Sequence, residues 1–178
     1  MRDGDDMPIN TEVQLKRILG PKYLGGMPIG GLGSLVDSIF SIGGVMTCQD
    51  VTMDLTTSFK AWDVFTESTD TKGITENLSL GHYTIKAGAD GSYPWLFYTN
   101  IISPGAGTID IIQVKDTGGG PSATGRRDKK DVVAGVNMPF FIMGGGNLDE
   151  GNTIGIAAKG SSNATVQVVD AGFLIFRI

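Results

Sequence analysis

Over the last two thirds of the chain, apolar residues alternate with polar ones in short runs, and Gly-rich turns separate the runs. Period-two alternation over four to eight residues is the pattern of a strand with one covered face. It predicts strands near residues 58–65, 80–86, 93–102, 107–115, 131–136, 139–143, 152–159 and 165–177. Ala89-Asp-Gly91 reads as a hairpin turn, 103–107 as a longer turn and 117–125 as a Gly-rich excursion. No segment repeats at a fixed period, which excludes a solenoid or propeller. The expected class is all-β, an antiparallel β-sandwich over residues 58–178.

Two of these strands lack a polar face. Tyr93, Trp95 and Phe97 fall on one side of theirs while Leu96 and Tyr98 fall on the other, and the closing run Phe173-Leu-Ile-Phe-Arg-Ile178 is apolar on both. A symmetric partner chain is the usual cover for a second apolar face, so Tyr93, Trp95, Phe97, Phe173 and Phe176 are expected at a subunit interface. Pro94 cannot donate to a ladder and is expected at a bulge or at the unpaired start of its strand.

Residues 1–57 have another texture and are expected to form an extended N-terminal arm. Eight glycines lie between Gly20 and Gly44 among apolar residues and almost no charges. Each glycine costs about 1 kcal/mol relative to Ala in a helix, so only short helices are expected, one capped by Asn10 and ended by Gly20-Pro21, another over 34–42. The second is too short to hold without a surface to lie on. Leu24, Met27, Ile29, Leu32, Leu35, Ile39 and Phe40 are the residues expected to meet that surface.

Charge and composition narrow the function. A net charge of −5 excludes a protein that coats nucleic acid. The basic cluster Arg126-Arg-Asp-Lys-Lys130 reads as a solvated loop. One cysteine, Cys48, allows no internal bridge and fits a reducing compartment. The start Met1-Arg-Asp-Gly-Asp-Asp is acidic where a secretion signal is basic, so synthesis in a cytoplasm is expected. No membrane span is expected either.

No catalytic constellation assembles. His82 is the only histidine and no Gly-x-Ser-x-Gly elbow accompanies it. One His and one Cys do not make a zinc site. Asp149 with Glu150, and Asp63 with Glu67, are the carboxylate pairs that a glycosidase reading would need, and 19 acidic residues supply such neighbours by chance. Gly30-Gly-Leu-Gly33 lacks the Lys-Ser/Thr ending of a phosphate loop. No enzyme activity, cofactor or metal is expected.

The order of textures is informative. His82-Tyr-Thr-Ile-Lys-Ala-Gly-Ala-Asp-Gly-Ser-Tyr93 leads into a long apolar strand, followed by Gly107-Thr-Ile-Asp-Ile-Ile-Gln-Val, then Leu148-Asp-Glu-Gly-Asn-Thr-Ile-Gly-Ile and the aromatic terminal run. Residues 75–178 so arranged resemble the TNF-like jelly roll of complement-type globular heads and of many phage structural proteins. Asn152 stands where the family carries an acidic residue, with Asp149 and Glu150 displaced upstream, so no calcium site carries over. The resemblance implies a homotrimer. With the arm, it implies a virion structural protein made in the host cytoplasm: a trimeric capsid cement or decoration protein whose N-terminal arm lies on the major capsid protein lattice at the capsid surface. A phage tail fibre or spike receptor-binding head is the alternative, and a membrane-active Gly-rich arm a third.

Overall fold

The computed structural model describes residues 42–69, 72–119 and 122–178. In chain order the strands are β1 (Gly43–Leu55), β2 (Lys60–Ala61), β3 (Glu67–Ser68), β4 (Ile74–Asn77), β5 (His82–Ile85), β6 (Gly91–Ile102), β7 (Gly107–Asp116), β8 (Ser122–Val132), β9 (Asn137–Leu148), β10 (Thr153–Gly160) and β11 (Ala164–Phe176). They form two antiparallel sheets, ordered β3-β1-β11-β6-β9 and β4-β5-β10-β7-β8, with β2 added to β10. The expected antiparallel sandwich is what forms.

The largest departure from expectation is β1, placed in the sequence reading inside the arm. It pairs with β11 from Gly43↔Phe176 to Leu55↔Ala164, the longest ladder in its sheet alongside β6–β9. The head therefore starts by residue 43 rather than 58. A strand was missed here because its alternation changes phase. Met46 and Cys48 point inward at even positions and Met53 and Leu55 at odd ones, with the change at Asp50, whose φ is 50°. β11 changes phase at the facing position. Val166 and Val168 point inward before it, Ala171, Phe173 and Ile175 after it, and the register against β6 shifts between Val168 and Asp170. A one-residue slip would turn one half of either strand inside out, so the two irregularities must coincide.

Four smaller expectations also change. Ala89-Asp-Gly91 does not close a hairpin, because β5 and β6 lie in different sheets and the turn carries the chain across the core. Only Lys60–Ala61 of residues 58–65 is a strand, while Trp62 and Phe65 turn inward. The basic cluster at 126–130 lies within β8, not in a loop. Pro94, expected at a bulge or an unpaired strand start, is instead inside β6, opposite Gly145 of β9, and two residues before it the Ser92 carbonyl accepts from the Ile178 N–H at 3.0 Å.

The core centres on Phe173. Tyr83, Trp95 and Phe97 pack on its ring at centroid distances of 5.1, 6.2 and 6.4 Å, and Trp62 meets Phe97 edge-on at 5.0 Å. The Tyr83 hydroxyl crosses from one sheet to the other and donates to the Phe173 carbonyl at 2.7 Å. Burial raises the pKa of this phenol well above its ordinary range. Along one side of the sandwich, side chains of β7 and β8 reach the backbone of the edge strand β9. Asp128 accepts from the Phe141 N–H at 2.9 Å, Lys130 Nζ donates to the Pro139 carbonyl at 2.6 Å, and Lys115 Nζ donates to the Asn147 carbonyl at 2.8 Å.

Two outcomes follow from this packing. A chain beginning at residue 57 loses the buried side chains Val45, Met46, Cys48, Met53 and Leu55. At roughly 1.5–3 kcal/mol each, that is comparable to a whole domain's stability of about 5–15 kcal/mol. The truncated chain should show no cooperative thermal transition by circular dichroism; a sharp transition like that of the full chain would refute the central role of β1. The second concerns Cys48, whose thiol is pushed up to about 12, chiefly by burial. In the unfolded chain it ionises near 9.0, so the stability from keeping it neutral is complete below that pH and is lost as pH rises toward 12. The urea midpoint should fall more steeply between pH 8.5 and 10.5 in the native chain than in Cys48→Ala, and parallel pH profiles would contradict this.

Candidate functional site: the outer face of the five-stranded sheet

The registers place outward-facing residues in rows across this sheet. One row is Val45–Leu174–Leu96–Met143, the next Thr47–Gly172–Tyr98–Phe141, and beyond them Gln49–Asp170–Asn100–Pro139. The first two rows are largely apolar. The third is polar at three of its four positions, with Asn100 Nδ2 donating to Asp170 Oδ1 at 2.6 Å. The face is thus an apolar field with a polar border.

Two neighbourhoods make up the field. Tyr98 and Phe176 close over Val45 and Leu174, which are 0% and 7% exposed. The tyrosine ring lies across Gly172, where an added Cβ would sit 2.4 Å from ring Cε1. Beside this cluster, Leu96 is half-buried while Phe141 and Met143 are 48% and 58% exposed. An antiparallel sheet that ends in water on its outer side carries polar residues there, and over its first two rows this one does not. Large apolar side chains grouped this way on a surface mark a contact surface.

The sequence-predicted interface residues divide. Phe176 lies on the outer face, against Val45 and Leu174. Tyr93, Trp95, Phe97 and Phe173 do not; all four are at most 2% exposed, inside the sandwich of a single chain. The inference that these strands are apolar on both sides holds, but its assignment of faces is reversed, because the bulkier aromatic set fills the core. The residues missed are Val45, Leu174, Phe141 and Met143. Phe140-Phe-Ile-Met143 carried a signal, since an unbroken apolar run in an edge strand leaves every second residue facing out. The arm residues Leu24, Met27, Ile29, Leu32, Leu35, Ile39 and Phe40 lie outside the described residues.

The residues weighed for chemistry are dispersed. His82 is on β5, half-buried, and burial lowers its pKa. Asp63 is paired with Lys60 at 2.7 Å. Asp149 and Glu150 lie in the turn before β10, where the Glu150 N–H donates to Asp90 Oδ1 at 2.5 Å. Among the described residues no three His, Cys, Asp or Glu side chains converge as metal ligands, and no helix is long and apolar enough to cross a membrane.

The two-sheet arrangement is that of a TNF-like jelly roll, and the chain is similar in structure to known members of that fold. The globular domain of zebrafish complement 1qA protein superposes with a TM-score of 0.55 at 16% identity, covering 77% of this chain and 97% of that one. The Eiger TNF of S. frugiperda superposes with a TM-score of 0.51 at 10% identity, covering 75% and 90%. No family model and no curated protein matches the sequence.

The seat of Tyr98 is testable. Gly172→Ala should displace the ring and destabilise the chain by about 1–3 kcal/mol, the usual cost of overpacking. The same substitution in a Tyr98→Ala background should cost much less. Equal costs in both backgrounds, measured by urea unfolding, would mean that Gly172 is required for another reason.

Proposed function

We propose that the chain is the subunit of a homotrimeric structural protein of a virus particle, a capsid cement or decoration protein. The observation that carries the assembly is the apolar outer face of β1, β11, β6 and β9, which a single chain leaves uncovered around Leu96, Phe141 and Met143. The TNF-like resemblance supports a threefold arrangement. A cyclic trimer uses head-to-tail contacts, so the face of one subunit meets a different surface on the next and the ring closes. The capsid role draws support from the first 41 residues, apolar and Gly-rich with few charges after residue 17, which precede the head and resemble neither a charged tail nor a domain of their own. Three such segments on one trimer would match three equivalent grooves around a local threefold point of a lattice, and avidity would multiply a modest single-site affinity. Such a role requires no turnover, in keeping with the dispersed titratable residues.

Light scattering should give three times the chain mass of 18.7 kDa. Met143→Glu should reduce it to the single-chain mass with an unchanged circular dichroism spectrum, because the residue is exposed in one chain and covered in three. The trimer should bind undecorated capsids at a saturating, fixed ratio. Ile39→Glu combined with Leu32→Glu should abolish that binding and leave the trimer intact. A monomeric native protein removes the assembly. A trimer that ignores capsids but binds host cells transfers the reading to a tail-fibre or spike head.

A further inference from the structure

A cleft of about 270 Å³ opens between the two sheets on the side where the edge strands β8 and β9 face each other. Trp95, Leu148 and Ile154, each 2% exposed, form its apolar wall. Gln113 and Lys115 of β7 and Thr124 and Arg126 of β8 form the other, and Gly145 and Gly146 of β9 border it. Three successive glycines stand on β9 here, and their surroundings differ. A Cβ on Gly144 would meet the Trp95 ring at 2.5 Å, and one on Gly145 would touch the Pro94 backbone at 3.4 Å. A Cβ on Gly146 would meet nothing within 4 Å, and Gly146 is not among the residues with positive φ. Glycine inside a strand is destabilising by roughly 0.5–1 kcal/mol relative to Ala, and such a position often marks the close approach of a ligand. Neither crowding nor turn geometry requires Gly146; its effect is to keep the cleft open.

We propose that this cleft binds a small organic anion, a single aromatic ring bearing one carboxylate, with the ring against Trp95 and Leu148 and the carboxylate toward Arg126.

The volume lies just below the usual range of about 300–1,000 Å³ for ligand sites, which suits one ring rather than two. The sign of the charge follows from the lining, which holds two cations and no acid. Arg126 has no ion-pair or hydrogen-bond partner among the described residues. Lys115 donates once, to the Asn147 carbonyl at 2.8 Å, and keeps its charge and two further donors. The neighbouring acids do not offset them. Asp128 is paired with Lys130 at 3.0 Å and accepts the Phe141 N–H, Arg127 holds Asp110, and Asp116 lines the outer face of its sheet instead. Asp149 and Glu150 lie in the turn beyond Leu148 and do not line the cleft. The neutral groups add donors. Gln113, 5% exposed, accepts from Thr124 Oγ1 at 2.6 Å through its Oε1, which leaves its amide N–H groups without a protein partner. The backbone alternation that sends the Phe141 N–H and the Asn147 carbonyl to the free edge of β9 sends the Gly145 N–H there too. A neutral apolar guest would strip water from these donors and leave them unpaired, whereas a carboxylate accepts from them.

The test follows 4-fluorobenzoate by its fluorine resonance, with 4-fluorobenzamide as a neutral comparator of the same shape. The full chain should bind one benzoate per subunit and the amide at least fivefold more weakly. Arg126→Gln should weaken the benzoate at least fivefold and leave the amide unchanged. Gly146→Val, whose side chain has room, should fill the cleft and weaken both at least tenfold with an unchanged circular dichroism spectrum. The proposal fails if the benzoate does not bind, if the amide binds as tightly, or if either variant binds the benzoate as the native chain does. A changed oligomeric mass in Gly146→Val would make the cleft an interface between copies and overturns it equally. Should Gly146→Val not fold, Arg126→Gln decides, because that side chain is exposed and unpaired.

Discussion

The fold depends on the ladder between β1 and β11 and on the coincidence of their two irregularities. Asp50 in a left-handed conformation and the bulge beside Val169 face one another, so both strands reverse the inward set at one level of the sheet. Above that level Met46, Cys48, Ala171, Phe173 and Ile175 enter the core; below it Met53, Leu55, Val166 and Val168 do. Either irregularity alone would force one strand to bury polar residues such as Gln49 or Asp54 in place of its apolar ones. The position of Phe173, and with it Tyr83, Trp95 and Phe97, is set by this match.

The same match determines what the outer face shows. Because β11 is in its upper phase at Gly172 and Leu174, β6 presents Leu96 and Tyr98 beside them, and β9 continues the rows with Met143 and Phe141. Toward the lower phase polar residues enter the outward rows, Gln49, Asp170 and Asn100 and then Gln167, with Pro139 and Ile102 as single apolar residues among them. The apolar field is therefore confined to one end of the sheet. The opposite sheet differs in kind. It keeps small residues, Gly155 and Ala157, on its central outward positions, and a concavity lies over them between Phe59, Leu80, Ile112 and Val114.

The sequence made the sandwich legible because the turns are explicit and most strands alternate cleanly. Thr165 to Arg177 could be recognised as a strand despite its bulge, because it is rich in β-branched and aromatic residues. Gly43 to Leu55 could not. Two glycines, a phase change at Asp50 and a continuous Gly-rich approach made it look like more of the arm, and only pairing with β11 makes it a strand. The interface assignment failed for a related reason. An apolar strand announces that both sides are covered, but which side meets the chain's own second sheet depends on register with strands far away in sequence. Tyr93, Trp95, Phe97 and Phe173 are the larger set and fill the larger space. The concavity on the other sheet was not legible at all, since Phe59, Leu80, Gly155 and Val114 are brought together by topology alone.

The stitched edge between β8 and β9 bears on how such a molecule can associate. An exposed strand edge is a template to which further strands can add without limit. Here Asp128, Lys130 and Lys115 occupy the backbone groups of Phe141, Pro139 and Asn147 that a foreign strand would need. Growth by strand addition is blocked on that side, and the surface left for contact is a sheet face of bounded area. Contacts through a face are satisfied once a ring closes, whereas contacts through an edge never are. The polar seam therefore directs any contact from the strand edge to the sheet face, through residues that need not touch a partner.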